Sequence, residues 1–173
     1  MTLAMALKQL EAIGNAASEV PFIVQMMENP SFDFPPFSMF KGRVSLLQHD
    51  CIHLLLGRGT TLVDEAFTIG FTMGSSKSMS TTASKIFAYV AEHWYPKAYR
   101  FPDYAREVYT NAVHLGMVSR CHSLDEVDFE PYFHQPLGEV RVALGLELNL
   151  LKSYYAVEAM RNPDLGSSQR LLS

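Results

Sequence analysis

Two histidines four residues apart, His49 and His53, are the residues whose types and spacing best suit chemistry in this chain. On a helix, side chains four positions apart share one face, so both imidazoles can turn a ring nitrogen towards one cation. Asp50 lies roughly 100° further round such a helix, at the edge of that face, where it can ligate the cation or orient a ligand. The alternative is a solvated or hydrogen-bonded histidine pair without metal.

Glu65 supplies a carboxylate at the right distance along the chain. Gly57 is a typical helix-ending residue one turn after His53, and a short turn follows it. An antiparallel return over that turn would place Glu65, in the first turns of the next helix, opposite His53. Two imidazoles with one or two carboxylates suit Zn²⁺, or alternatively Mg²⁺ or Fe²⁺, acting as a Lewis acid.

Two familiar metal motifs fit this string less well. Zincins need a glutamate directly after the first histidine as general base, whereas Asp50 stands there. Phosphohydrolases named for a His-Asp pair need a further metal-binding histidine upstream, and His49 is the first histidine in the chain. A metal-dependent phosphohydrolase therefore stays a functional hypothesis, but it ranks below the two that are described next.

The spacing is similar to the signature of the ubiquinone-biosynthesis family typified by the fourth protein of the coenzyme Q pathway. The segment His49–His53 reads His-Asp-x-x-His, and eleven residues separate it from Glu65. The resemblance includes Leu56-Gly57 and the late segment Glu130–Arg141, and it covers residues 45–146 approximately.

This resemblance implies an all-helical protein that holds one divalent metal, usually zinc, beside a hydrophobic pocket for a polyprenyl chain. The ligands that it implies are His49, Asp50, His53 and Glu65. Members of the family are implicated in removing the C1 carboxyl of the ubiquinone head-group precursor, with replacement by hydroxyl. They are also implicated in organising the biosynthetic enzymes at the membrane.

Two hypotheses follow from the resemblance. The first is a metal-dependent enzyme of quinone biosynthesis, a decarboxylase of a prenylated aromatic acid that uses dioxygen or a partner where oxidation accompanies carboxyl loss. The second is a non-catalytic lipid-binding scaffold, in which the metal only ties two helices together and quinone-biosynthesis enzymes are the partners. The sequence does not separate them, because structural and catalytic sites can use the same four residues.

Aromatic residues are the candidates for substrate binding. We expect an elongated apolar cavity that reaches the metal and is lined by Phe67, Phe71, Phe87 and Tyr89. Arg141 can pair with a substrate carboxylate or with the surroundings of Glu65, or alternatively form a structural salt bridge with Glu139 or Glu126.

The segment Trp94–Phe101 interleaves aromatic side chains with Lys97 and Arg100. Such a patch resembles a membrane-interface anchor, and helix packing is the alternative. Together with the resemblance, it predicts a cytoplasmic protein peripheral to the inner membrane, with a homodimer as one option for assembly.

Composition excludes several classes. The chain has 173 residues, 48% hydrophobic and 18% charged, with a formal net charge of −4. That length can bury one core without disulfides, and the acidic balance opposes nucleic-acid binding. Two cysteines, Cys51 and Cys121, are too few for a disulfide framework and indicate a reducing compartment. Cys51 lies off the helix face that bears His49 and His53, so it is interpreted as a buried thiol. No presequence is visible, and no apolar run approaches the ~20 residues that span a bilayer.

Hydrophobic spacing predicts helices throughout. The first contains a single apolar face made of Leu3, Leu7, Leu10, Ile13 and Ala17. Six more helices are expected, at approximately residues 21–29, 44–56, 61–74, 82–95, 102–114 and 136–150.

Local signals refine these boundaries. Thr60 or Thr61 can cap the helix that contains Gly70 and Gly74, and these glycines favour close helix packing over ligand contact. Residues 74–84 are predicted to form a serine-rich loop, which is the candidate mobile element. Further along the chain, Gly116 is expected just past a helix end, and Ser123 is expected to begin a capping box. The sequence therefore predicts an all-α, single-domain bundle of roughly seven helices over residues 1–173, with a hydrophobic pocket and a disordered tail at 163–173.

Overall fold

The computed structural model of this chain describes residues 1–16, 45–77 and 102–166. These residues form helices, turns and one isolated bridge between Thr2 and Pro136, and no strand. The predicted all-α class is confirmed. The six α-helices of this part of the chain are α1 (Leu3–Ala16), α2 (Leu46–Leu56), α3 (Leu62–Ser75), α4 (Asp103–Val118), α5 (Leu137–Ala143) and α6 (Leu148–Arg161).

The helices α2 and α3 form a hairpin whose ends are set by local chemistry. Ser45 caps α2 in a reciprocal capping box with Gln48, and Gly57 ends the helix in the left-handed region with φ 71°. Thr61 caps α3 in a second capping box with Asp64. The predicted roles of Gly57 and Thr61 are confirmed, and residues 57–61 are the short connection between the two helices.

Glycines let α3 and α4 approach each other closely. A Cβ atom built on Gly74 would lie 2.1 Å from the carbonyl oxygen of Val113, and one on Gly116 would lie 2.4 Å from that of Phe71. Close helix packing at Gly74 is thereby confirmed. The prediction that Gly116 lies just past a helix end is wrong, since α4 continues to Val118. Gly116 is needed inside the helix because a side chain there would collide with α3.

The expected single helix over residues 136–150 is wrong. Its place is taken by α5 and α6, which are separated by Gly145 in the left-handed region with φ 71°. The amide of Leu146 donates to the carbonyl of Arg141, which closes the end of α5. A glycine that adopts this conformation ends a helix whatever apolar spacing continues beyond it.

The capping box predicted at Ser123 is also wrong. Only a three-residue 3₁₀-helix, Leu124–Glu126, follows it, and the Ser123 hydroxyl makes no cap. Instead Ser123 Oγ accepts a hydrogen bond from the backbone amide of Lys77, 3.3 Å away. The side chain joins the end of α3 to the later loop.

The hydrophobic core contains residues of all six helices, and α1, α2, α3 and α4 supply most of it. Leu3, Leu7 and Leu10 are buried, which confirms the predicted apolar face of α1 at these positions. Backbone bonds from Leu3 to Gln135 and from Leu137 to Met1, each 3.1 Å, dock the first residues against the start of α5.

None of the helices in the described ranges is long and apolar enough to cross a membrane.

Several sequence predictions lie outside the described residues. They are the helices at 21–29 and 82–95, residues 78–84 of the serine-rich loop, Phe87, Tyr89, the aromatic-basic segment 94–101 and the tail beyond residue 166.

Candidate metal centre

Three side chains from two helices converge on one point. His49 and His53 lie one turn apart on α2, and Glu65 lies in the first turn of α3. Glu65 Oε2 is 3.0 Å from His49 Nε2 and 3.3 Å from His53 Nε2, and the two ring nitrogens are 2.8 Å apart. All three side chains are buried, with at most 5% of the residue exposed.

The donor set and its spacing fit a divalent metal. In a tetrahedral zinc site with bonds of ~2.0–2.1 Å, neighbouring ligand atoms lie roughly 3.3 Å apart. The three atoms here lie 2.8 to 3.3 Å apart, so they are within a few tenths of an ångström of that arrangement. Two imidazoles and a carboxylate are nitrogen and oxygen donors that zinc accepts. A buried group of this kind could hold a metal ion.

Electrostatics couple the three groups. Burial lowers the pKa of His49, and the neighbouring His53 adds to that effect. Burial opposes the charged form of His53 as well, but the Glu65 carboxylate outweighs it and raises the pKa of His53 above its ordinary value. Burial alone would raise the pKa of Glu65, yet the two histidines hold it well below its usual range. The centre therefore favours positive charge on the His53 ring and a neutral His49 ring.

Asp50 lies outside this group. The three ligand atoms that lie within 4.8 Å of one another belong to His49, His53 and Glu65, and Asp50 is half-buried on the neighbouring face of α2. Its negative charge still helps to raise the pKa of His53. As a direct metal ligand, Asp50 stays a prediction.

Sequence reasoning missed Thr68, which touches the centre from α3. Its hydroxyl oxygen lies 3.2 Å from His53 Nδ1, and the residue is fully buried. The available signal was its position three residues after Glu65, which puts both side chains on one face of α3.

Sequence reasoning also missed a buried ion pair beside the centre. Arg58 donates two hydrogen bonds to Glu158 in α6, at 3.0 and 2.5 Å, and lies 3.8 Å from Asp64. Its guanidinium lies over the rings of Phe67 and Tyr155, 4.0 and 4.1 Å from their centroids. Nothing in the local sequence distinguishes Arg58 from an exposed loop arginine.

The predicted substrate-binding residues in the described ranges have structural contacts. Phe67 and Phe71 are buried in the core, with ring centroids 6.0 Å apart. Arg141 donates to the backbone carbonyls of Leu54 and Leu55 at 3.0 and 2.9 Å, so it satisfies the last turn of α2. These backbone carbonyls differ from the partners predicted for Arg141, which were a substrate carboxylate or a glutamate side chain.

Cys51 lies between the two histidines in sequence but belongs to the core. It is fully buried, and burial raises the pKa of its thiol to about 12. The interpretation as a buried thiol is confirmed.

Comparison of the chain with family models, curated proteins and solved structures gives no match. The chemistry of the centre is therefore inferred from its own atoms. Of the described residues, three supply ligand atoms that converge from α2 and α3, and they could hold one divalent cation.

Proposed function

We propose that this chain binds one divalent metal ion, zinc foremost, through His49, His53 and Glu65. We further propose that the centre serves quinone biosynthesis, where a prenylated aromatic acid loses its ring carboxyl. The observation that supports the proposal is the convergence of the two histidines and the glutamate in one buried cluster. These are three of the four positions that the resemblance to the ubiquinone-biosynthesis family implies.

The number of ligands favours a catalytic centre. Among the described residues three side chains supply ligand atoms, and catalytic zinc sites typically have three protein ligands and one open position. A bound metal would supply Lewis-acid polarisation of a substrate oxygen. In the proposed reaction the bond between ring and carboxyl carbon breaks, carbon dioxide leaves and the ring carbon takes a proton. Replacement by hydroxyl instead takes its oxygen from water and releases two electrons, which dioxygen, reduced to hydrogen peroxide, or an oxidant supplied by a partner accepts.

The burial of the centre supports the scaffold as second candidate. Each ligand is at most 5% exposed, and the neighbouring Phe67 and Phe71 are packed in the core. A metal enclosed in this way would tie α2 to α3 in the manner of a structural zinc, and the prenyl lipid would then only be bound and presented.

Elemental analysis of purified protein tests the metal. We expect about one divalent ion per chain in the wild type and none in His49→Ala or His53→Ala. Glu65→Gln should weaken zinc binding roughly 100-fold or more, because a ligand is lost, while Glu139→Gln on the exposed surface of α5 should not. Equal metal content in the wild type and both histidine variants would remove the site.

Two further measurements separate enzyme from scaffold. In the cobalt-substituted protein, an open position predicts that added azide changes the visible absorption. Incubation with a prenylated hydroxybenzoic acid should release carbon dioxide in the wild type and not in Glu65→Gln. An absorption spectrum that azide leaves unchanged, with no carbon dioxide released, would favour the scaffold.

A further inference from the structure

We infer that Thr68 is a positioning residue of the metal centre: its hydroxyl oxygen accepts a hydrogen bond from Nδ1–H of His53 and so leaves Nε2 free to bind metal. This inference rests on the proposed metal centre and adds a residue that the motif does not contain.

The two nitrogens of the His53 ring face different partners. Nδ1 lies 3.2 Å from Thr68 Oγ1. Nε2 lies 2.8 Å from His49 Nε2 and 3.3 Å from Glu65 Oε2, among the converging ligand atoms. His53 and Thr68 are at most 1% exposed, so water does not compete for the Nδ1 contact.

The chemistry of imidazole decides which partner has which role. A neutral ring has one proton, and the metal needs the lone pair of the nitrogen that binds it. If Nε2 binds metal, the proton is on Nδ1, and a buried N–H requires an acceptor. A hydroxyl can donate or accept, but only an accepting Thr68 is compatible with a metal on Nε2 of a neutral ring.

The position of Thr68 on α3 makes this acceptor rigid. It follows Glu65 by three residues, so one helix face presents both a ligand to the metal and an acceptor to His53. The next turn contains Thr72, whose hydroxyl donates to the backbone carbonyl of Thr68 at 2.8 Å. Thr72 is therefore a matched control: the same residue type on the same helix, with its hydrogen bond directed to the backbone.

Zinc affinity in three variants tests the inference, measured by competition with a chromophoric chelator. Thr68→Val keeps the shape of the side chain and removes the acceptor, and we expect zinc to bind 10- to 100-fold more weakly, as is typical for such supporting bonds. Thr68→Ser should remain within about threefold of the wild type because it keeps the hydroxyl. Thr72→Val should bind zinc as the wild type does.

Equal zinc affinity in Thr68→Val and the wild type would overturn the positioning role and leave the metal centre standing. A second measurement needs no variant: long-range ¹H–¹⁵N correlations report the tautomer of His53 in the zinc-loaded and metal-free wild type. A proton on Nδ1 in both states is expected, and a proton on Nε2 alone in either state would overturn the inference. Failure of the wild type to bind zinc would instead remove the proposed function and, with it, the metal-positioning role of Thr68. A proton on Nδ1 in the metal-free protein would then show only that Thr68 fixes the tautomer of His53.

Discussion

At the scale of single residues, a proton and a metal ion would compete for the same ring nitrogens in the proposed centre. The carboxylate of Glu65 faces two ring nitrogens at 3.0 and 3.3 Å, away from water. Because Glu65 raises the pKa of His53, the His53 ring holds a proton more tightly than an ordinary histidine does, and that proton competes with a cation for the same atoms. Thr68 meets His53 from the other side of the ring.

Zinc affinity should therefore depend on pH. The pKa of His53 in the folded protein is raised above the ordinary value of 6.5, so below that folded pKa zinc must displace a proton. Affinity should fall by up to about tenfold for each pH unit below it and level off above it. Glu65 is ionised throughout this range because its pKa is lowered, so it adds no second slope.

Calorimetric titration in buffers of different ionisation enthalpy measures this effect. About one proton should be released per zinc bound on the sloping part of the curve. Zinc binding that releases no proton and keeps one affinity from about pH 5 to pH 8 would show that His53 is already neutral in the metal-free protein.

At the scale of helices, α3 connects the centre to the rest of the core. Its first turn supplies Glu65, and its second half packs on α4 through Gly70 and Gly74. The carbonyl oxygens of Tyr109 and Val113 lie where the missing side chains of these glycines would be. The short distance between α3 and α4 is therefore possible only because these two positions have no side chain larger than a hydrogen atom.

Gly74→Ala should destabilise the protein. The new Cβ would lie 2.1 Å from a backbone oxygen of Val113, so the helices must separate, at a cost of about 1–3 kcal/mol or more. Gly138→Ala in α5 is the control, since nothing lies within 4 Å of its Cβ position. There alanine should stabilise by up to about 1 kcal/mol. Urea unfolding measures the free energy of unfolding of both variants. Equal changes in Gly74→Ala and Gly138→Ala would contradict the close packing of α3 and α4.

At the scale of the whole molecule, a buried ion pair joins distant parts of the chain. Arg58, in the connection between α2 and α3, bonds to Glu158 in α6, 100 residues away. Both side chains are at most 3% exposed. The aromatic rings of Phe67 and Tyr155 lie against the guanidinium, and the Tyr155 hydroxyl donates to the Leu56 carbonyl at 2.7 Å. The last helix is thereby joined to the hairpin that bears the centre.

Glu158→Ala should lower the free energy of unfolding by about 3–5 kcal/mol, because it leaves the Arg58 charge buried without its main partner. Glu107→Ala is the matched control. It removes an ion pair of α6 with α4 through Arg161, at 2.6 Å, whose side chains are 59% and 51% exposed. An exposed pair of this kind contributes about 1 kcal/mol at most.

The double variant Arg58→Met/Glu158→Leu separates burial of charge from packing. It removes both charges, so it should be more stable than Glu158→Ala alone. Thermal unfolding compares the three variants. If Glu158→Ala and Glu107→Ala destabilised the protein equally, the Arg58–Glu158 pair would be exposed in solution.

Local chemistry in the sequence was enough to predict much of the hairpin. Gly57 ends α2 and Thr61 begins α3 because both conformations depend on residues next to one another in the chain. The same holds for His49 and His53, whose common face follows from the pitch of one helix. The short connection after Gly57 was enough to expect Glu65 opposite them.

Contacts between distant segments decided the rest. Apolar spacing alone extended one helix through Gly145 and ended another at Gly116, whereas packing against α3 keeps Gly116 helical and Gly145 turns the chain. The ligand atoms come together at His49, His53 and Glu65 because α3 packs against the side of α2 that bears both histidines, and Asp50 is not part of this group. Thr68 and Arg58 acquire their roles from partners 15 and 100 residues away. The free energy of burying a hydroxyl or a guanidinium depends on those partners, and no local pattern of residue types specifies them.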